Sequence, residues 1–359
     1  MNNTQEEDWK TEGEEEEDEV TIDYEILSYP SDFTLSGIEE KWKNEDIVIP
    51  DYQRDFVWKR SQSSVLIDSF LRGLPVPPVF FYVDEDNKSV VIDGQQRILS
   101  VIFFFEGHFG KESNQKKRQV FRLIGLDEKS PYVGKRFVDL AESDQRKLKD
   151  AVLRSINIRQ LNPENEQTSA YHIFERLNTG GTPLKPQEIR NCLFRKGLSS
   201  KLKELNQDAN WRLIIGKEYV DKHQRDIELV LRVFSLVGAV DKYESPMKVF
   251  LNNSMKNHDE GNTPKVRKFL KQFPKTTKLV VEKFGEKPFH LRGPLNISVL
   301  DSVMNVVSEH YGKLDFRTLK KRYKKLVDNK RFEELTTLAT TDTKVVRERI
   351  DLVREHLVD

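Results

Sequence analysis

The stretch "SVVIDGQQRILSVIFFFEG", residues 89–107, constrains this chain more than any other. Its first half is a β-rich apolar run that ends at Asp93. Its second half is apolar for too long to be a strand and reads as a buried helix stopped by Gly107. One residue, Gly94, must carry the backbone from one to the other. A strand-to-helix junction of this kind points unpaired N–H groups and the positive end of a helix at one spot. Arg97 adds a planar set of donors suited to phosphate or carboxylate. Gln95 and Gln96 can donate and accept, but neighbours on a helix do not share a face. Asp93 can cap the helix, hold a metal or orient a water. Local chemistry leaves two readings open: a capped helix with an ion pair, or a site for an anion.

A second polar cluster lies upstream in "IPDYQRDFVWKRSQ", residues 49–62. Gln53 and Arg54 stand there beside Ile49, Pro50, Phe56, Val57 and Trp58 at another strand-to-helix change. Tyr52 or Trp58 has the ring to stack on a base, and either serves equally well as core packing. Arg54 is also a ready ion-pair partner for Asp93.

Around these clusters the pattern mixes strands and helices. "DIVIP" reads as a short strand, and "SQSSVLIDSFLRGLP" as a helix with a stripe of Val65, Leu66, Ser69 and Phe70, ended by Gly73 and Pro75. "PPVFFYVD" and "SVVIDG" flank "EDNK" as a hairpin, "QVFRLIGL" reads as a strand, and "LRSINIRQL" is extended. From 164 onward the signal is helical: "EQTSAYHIFERLN", "KPQEIRNCLF", "RDIELVLRVFSLVG", "KVRKFLKQF", "LNISVLDSVMNVVSEHY" and "FRTLKKRYKKLVDN". The expectation is an α+β protein: a mixed α+β domain over 21–162 and a mainly α-helical domain over 163–359. Residues 1–20 are expected to be a disordered acidic tail.

Charge sharpens that division. The chain is neutral overall, yet residues 1–19 hold ten acids and one lysine, so the rest carries +9. Two segments concentrate the excess, 265–283 and 313–332, the second with nine Lys or Arg against two Asp. Such faces are either solvated or contact DNA phosphates. Cys192 is the only cysteine, which removes an internal disulfide framework and argues for a reducing, cytoplasmic setting. No run of about 18 apolar residues is present, so no membrane span is expected. Phosphate-loop, dinucleotide-fingerprint, zinc-helix and nucleophile-elbow motifs are all missing from the sequence.

Taken together, "IPDYQRDFVWK", "LIDSFLRGLPVPPVFF", "VIDGQQRILSV" and "IFERLNTGGTPLKPQEIRN" resemble the N-terminal domain family of GmrSD-type, modification-dependent restriction endonucleases. The resemblance covers roughly residues 30 to 195 and implies a ParB/sulfiredoxin-like fold. It also implies binding and hydrolysis of a nucleoside triphosphate of unassigned base. Asp93, Gln96 and Arg97 then stand at the catalytic positions, with Gly94, Gln95, Gln53 and Arg54 as the binding residues. Asp93 would orient water or Mg²⁺, and Asn178 and Thr179 would lie near the pocket. Proteins related in this way couple nucleotide hydrolysis to DNA cleavage by a C-terminal HNH nuclease domain. Here the sequence departs from the fuller pattern: none of the seven histidines has metal-ligand spacing, and His258 is isolated in "NSMKNHDEGN". The expected chain is a nucleotide-hydrolysing module of a restriction or phage-defence system without its own nuclease, with cleavage either absent or supplied by a separate nuclease subunit. The alternative is a non-catalytic DNA-binding or regulatory protein built on the same scaffold.

Overall fold

The structure is a computed structural model that describes residues 11–12, 25–49, 56–84, 86–110, 118–162, 185–194, 196–221 and 223–358. The chain divides into two compact units, one of 23–184 and one of 1–22 with 185–359. The motif segments at 50–55 and 163–184, and with them Tyr52, Gln53, Arg54, Asn178 and Thr179, lie outside the described residues.

The first unit is built on a mixed sheet. Its strands are β1 (Glu25–Pro30), β2 (Ile47–Val48), β3 (Val79–Val83), β4 (Ser89–Asp93) and β5 (Ser155–Asn162), in the order β1-β5-β3-β4-β2. The expected hairpin is present: β3 and β4 run antiparallel, and Phe80 opposite Asp93 closes the ladder. β5 lies parallel to β3 and antiparallel to β1, while β2 lies parallel to β4. Among the described residues, four helices accompany the sheet: α1 (Leu35–Lys43), α2 (Arg60–Arg72), α3 (Gln95–Glu106) and α4 (Glu142–Asp150).

Both glycine stops act as expected, for Gly73 and Gly107 close α2 and α3 in the left-handed conformation. The buried side of α2 differs from the expected stripe. Leu66, Ile67, Phe70 and Leu71 face inward with Ser63 and Ser64, and Val65 is 51% exposed. Two serines in the stripe let α3 come close, with the Ser63 and Ser100 hydroxyls 2.8 Å apart. The phenylalanine run of α3 is core packing: Phe104 meets Phe121 edge-on at 5.2 Å, and Phe103 meets Phe56 at 4.9 Å. "QVFRLIGL" is a strand only at Gln119–Val120. Beyond it, Phe121 and Leu123 plug the core from irregular backbone.

The second unit is helical. Its helices are α5 (Pro186–Leu193), α6 (Gly197–Leu205), α7 (Ala209–Ile215), α8 (Arg225–Leu236), α9 (Met247–His258) and α10 (Pro264–Phe284). They continue as α11 (Ile297–Glu309), α12 (Leu319–Val327), α13 (Lys330–Leu335) and α14 (Thr343–Leu357). α11 is buried on every side, and α8, α10 and α14 pack against it. Within the acidic stretch expected to stay unordered, Thr11–Glu12 pairs in parallel with Leu295–Asn296. No helix among the described residues is long and apolar enough to cross a membrane.

Lys265 on α10 gives this unit a pH signature. Its ammonium donates to the Ser235 carbonyl at 2.9 Å and lies 5.0 Å from the Phe234 ring centroid. Burial, with Lys242 adding repulsion, pushes its pKa from 10.5 down to about 8. Between those two values the unfolded chain holds the proton and the folded chain does not. Stability from this group therefore rises across that window and is lost as pH falls through about 8. Lys265→Met is expected to flatten the rise, read as urea midpoints at a series of pH values.

Candidate functional site

The mouth of α3 holds Asp93, Gly94, Gln95, Gln96 and Arg97 of the residues singled out in the sequence. β4 ends at Asp93, and Gly94 turns the chain with φ +103° and starts α3 without any side-chain cap bond. A glycine is required here twice over. Its φ belongs to the region L residues avoid, and an added Cβ would stand 2.3 Å from Val79 Cγ1 and 2.8 Å from Val79 Cβ. Gly94→Ala is expected to cost about 3 kcal/mol from strain and overpacking together, measured by urea unfolding.

Asp93 does not cap α3. Its Oδ2 accepts from Arg97 Nη2 at 2.6 Å, one helical turn on, and the same nitrogen reaches the Pro78 carbonyl at 3.1 Å. The guanidinium is therefore held from two strands, by the end of β4 and by the residue preceding β3. Arg97 Nε is shut off from solvent and has no acceptor. The Arg97 side chain is 17% exposed and that of Asp93 49%, so the pair lies at the rim of the unit. Gln95, by contrast, is buried.

Gln96 does something the sequence did not announce. Its Oε1 accepts from the backbone N–H of Val57 at 3.0 Å and of Trp58 at 3.1 Å. Phe56, just before them, packs edge-on against Phe103 and Phe109, and Trp58 packs on the same core. The segment that follows Gln53 and Arg54 is thus fastened to the first turn of α3, so the two motifs meet through backbone and amide. A glutamine beside an arginine at a helix start was the only signal, and it does not reveal which backbone donors upstream need an acceptor.

The donor set bears on the groups the motifs imply. Phosphate suits the partly exposed guanidinium and the first turn of α3, which has no side-chain cap. For a resident divalent cation the fit is poor: Asp93 is a lone carboxylate with one oxygen on Arg97, and no cluster of three His, Cys, Asp or Glu occurs among the described residues. Asp93 is suited to be one ligand of a Mg²⁺ that arrives with phosphates.

The last motif, "KPQEIRN", lies in the helical unit and is a buried polar network. Arg190, 1% exposed, pairs with Glu228 at 2.8 Å and donates to Asn252 at 2.8 Å. Gln187 and Asn191 bond each other, and Ser199 donates to Asn191. Glu188 accepts from Lys185 N–H at 2.7 Å and faces His223 at 3.4 Å, and burial raises its carboxyl pKa. This network ties α5 to α8 and α9.

Residues 35–195 match the family model described as GmrSD restriction endonuclease, N-terminal domain. That span takes in the mixed sheet from α1 onward, the mouth of α3 and the buried network of α5. No curated protein matches the chain. By motif order and family match together, residues 35–195 are similar to the N-terminal domain of the GmrSD restriction endonuclease family.

Proposed function

We propose that the chain is the nucleotide-binding and nucleotide-hydrolysing module of a DNA restriction or phage-defence system. The observation that carries this reading is Arg97, fixed by Asp93 and Pro78 at a helix mouth without a side-chain cap, its guanidinium still partly exposed. In this reading Arg97 and Arg54 hold the phosphates of a nucleoside triphosphate, and Gly94 and Gln95 offer backbone at the helix entrance. Gln53 completes the pocket on the segment that Gln96 fastens. Water attacks the γ-phosphorus as its bond to the β–γ bridging oxygen breaks, giving nucleoside diphosphate and inorganic phosphate. Asp93, with one oxygen on Arg97, aligns that water or accepts its proton with the other. A Mg²⁺ bound with the nucleotide would neutralise phosphate charge. The chain's own contribution is placed positive charge in a preorganised mouth. Strand cleavage falls to a separate nuclease subunit, and the cytoplasm is the compartment this reading assigns.

The test is phosphate release from each of the four ribonucleotides, with and without DNA. Turnover of at least one is the expected result. Absence of both binding and turnover for all four overturns it.

A second reading, a DNA-binding or regulatory scaffold, is supported by two rows of cations in the helical unit. On α10, Arg267, Lys268, Lys271, Lys275 and Lys278 are exposed, and on α12, Lys320, Lys321, Lys324 and Lys325. Of these, only Lys278 reaches a carboxylate among the described residues, Glu282 at 3.8 Å. Like charges four apart on a helix cost stability, and phosphate contact offsets that cost. Binding of a DNA duplex that weakens steeply with salt, in the wild type but not in Lys→Gln variants of both rows, is the expected result.

A further inference from the structure

The two ends of the mixed sheet are finished differently. At one end β2 is two residues long, too short to template another strand. At the other, β1 runs for six residues, and all of them but Tyr29 and its neighbour-facing ring are open to water. Ile26 and Leu27 point to opposite faces of the sheet and are 41% and 42% exposed. No strand among the described residues pairs with the outer side of β1.

The ladder fixes which backbone groups that outer side offers. Ser28 stands opposite Ile158 and Pro30 opposite Ile156, and the next N–H, that of Ser31, donates to the Ser155 carbonyl at 2.9 Å. Facing residues of an antiparallel pair alternate between bonded and unbonded. Leu27 and Tyr29, in step with Ser31, therefore spend their N–H and C=O groups on β5. Ile26 and Ser28 turn theirs outward, where no described strand lies. Pro30 shares that outward parity, so its missing N–H takes nothing from the sheet.

Edges of this length are ordinarily blunted by lysine, by a central proline or by a cover. β1 has no lysine, and its one proline is the last residue. A second β1 fits it. Set antiparallel about a twofold axis through Leu27, Ile26 of each copy bonds Ser28 of the other, which uses every outward N–H and C=O of both residues. Leu27 meets Leu27 in a close, unbonded pair, and Glu25 faces Tyr29, so no acid meets an acid. Moving the axis to Ser28 would set Ile26 against Pro30, which has no N–H to give.

We propose that β1 is a homodimerisation edge, at which two copies of this chain join antiparallel through Ile26–Ser28, with Leu27 on the twofold axis, into one continuous sheet. Such an interface is the same patch on both copies and closes on itself. One strand pair buries little area, so the association is reversible and follows concentration.

Sedimentation velocity of the full chain over a rising concentration series tests it. Wild type is expected to pass from monomer to dimer. Leu27→Lys sets two ammonium groups on the axis, and Ser28→Pro removes an outward N–H that β5 does not use. Each should stay monomeric where wild type is dimeric, at an unchanged thermal midpoint. Leu27→Cys reads the register. Facing residues of an unbonded pair have Cα atoms about 4.5 Å apart, within the range of a disulfide. Diamide should therefore join two Leu27→Cys chains through position 27, identified by peptide mass. Three results each overturn the edge: wild type monomeric at every concentration, a Leu27→Lys or Ser28→Pro chain that dimerises like wild type, or dimers whose Leu27→Cys thiols do not join.

Discussion

Arg97→Ala is expected to lower nucleoside triphosphate turnover by roughly 10²–10³-fold, the usual loss when one preorganised donor to a developing anionic charge is removed. The same change should barely disturb folding. The Arg97–Asp93 pair lies at the rim, with the carboxylate 49% exposed, so Asp93 is re-solvated when its partner goes. A pair of that kind contributes about 1 kcal/mol or less. The two readings of the DGQQR stretch therefore separate cleanly. If Arg97 is only the partner of a helix-entry carboxylate, its loss shifts the urea midpoint slightly and leaves turnover intact. If it carries phosphate, turnover collapses at nearly constant stability. Arg97→Lys keeps the charge but not the planar guanidinium donors, and is expected to recover only part of the rate. Steady-state phosphate release and urea unfolding on the same preparations decide between them.

Much of the first unit was legible because its signals are local. Gly73 and Gly107 stop helices by backbone conformation, and the β3–β4 hairpin announced itself by two β-rich runs across a polar turn. Val65 misled because an apolar side chain at the edge of a helical stripe does not reveal which side of that stripe the core takes. Phe121 and Leu123 misled for a related reason: apolar residues can fill a core from irregular chain, and their run looks like a strand either way. At the site, the residue types and the glycine were readable, but the pairing of Asp93 with Arg97 one turn on was not, since Arg54 was its expected partner. The Gln96 bonds to Val57 and Trp58 were not, since they depend on which donors the upstream segment leaves unpaired after it packs. α11 shows the limit most sharply. Its polar stripe is plain in the sequence, and a polar stripe usually faces water. Here it is buried because arginines from two distant helices arrive to meet it.

That meeting sets the largest stability effect expected in the chain. Asp301 is fully buried between Arg232 and Arg349, so Asp301→Ala takes from two interior guanidinium groups the carboxylate they share. Breaking a buried pair from one side costs about 3–5 kcal/mol, a large share of what a domain has. Geometry alone would have pointed elsewhere. Arg331 grips Glu348 at 2.7 and 2.9 Å, closer than either bond to Asp301. Yet that pair is solvent-exposed, water replaces either partner, and Arg331→Ala should leave the urea midpoint almost unmoved. Burial, not bond length, decides which ion pair matters. The loss of buried ion pairing is also the source of the cost, which makes a further variant informative. Replacing Arg232, Asp301 and Arg349 together by Met, Leu and Met removes every charge at once and should recover most of the loss that Asp301→Ala incurs. A triple variant as unstable as the single one would place the cost in packing around α11 and not in the lost buried ion pairs.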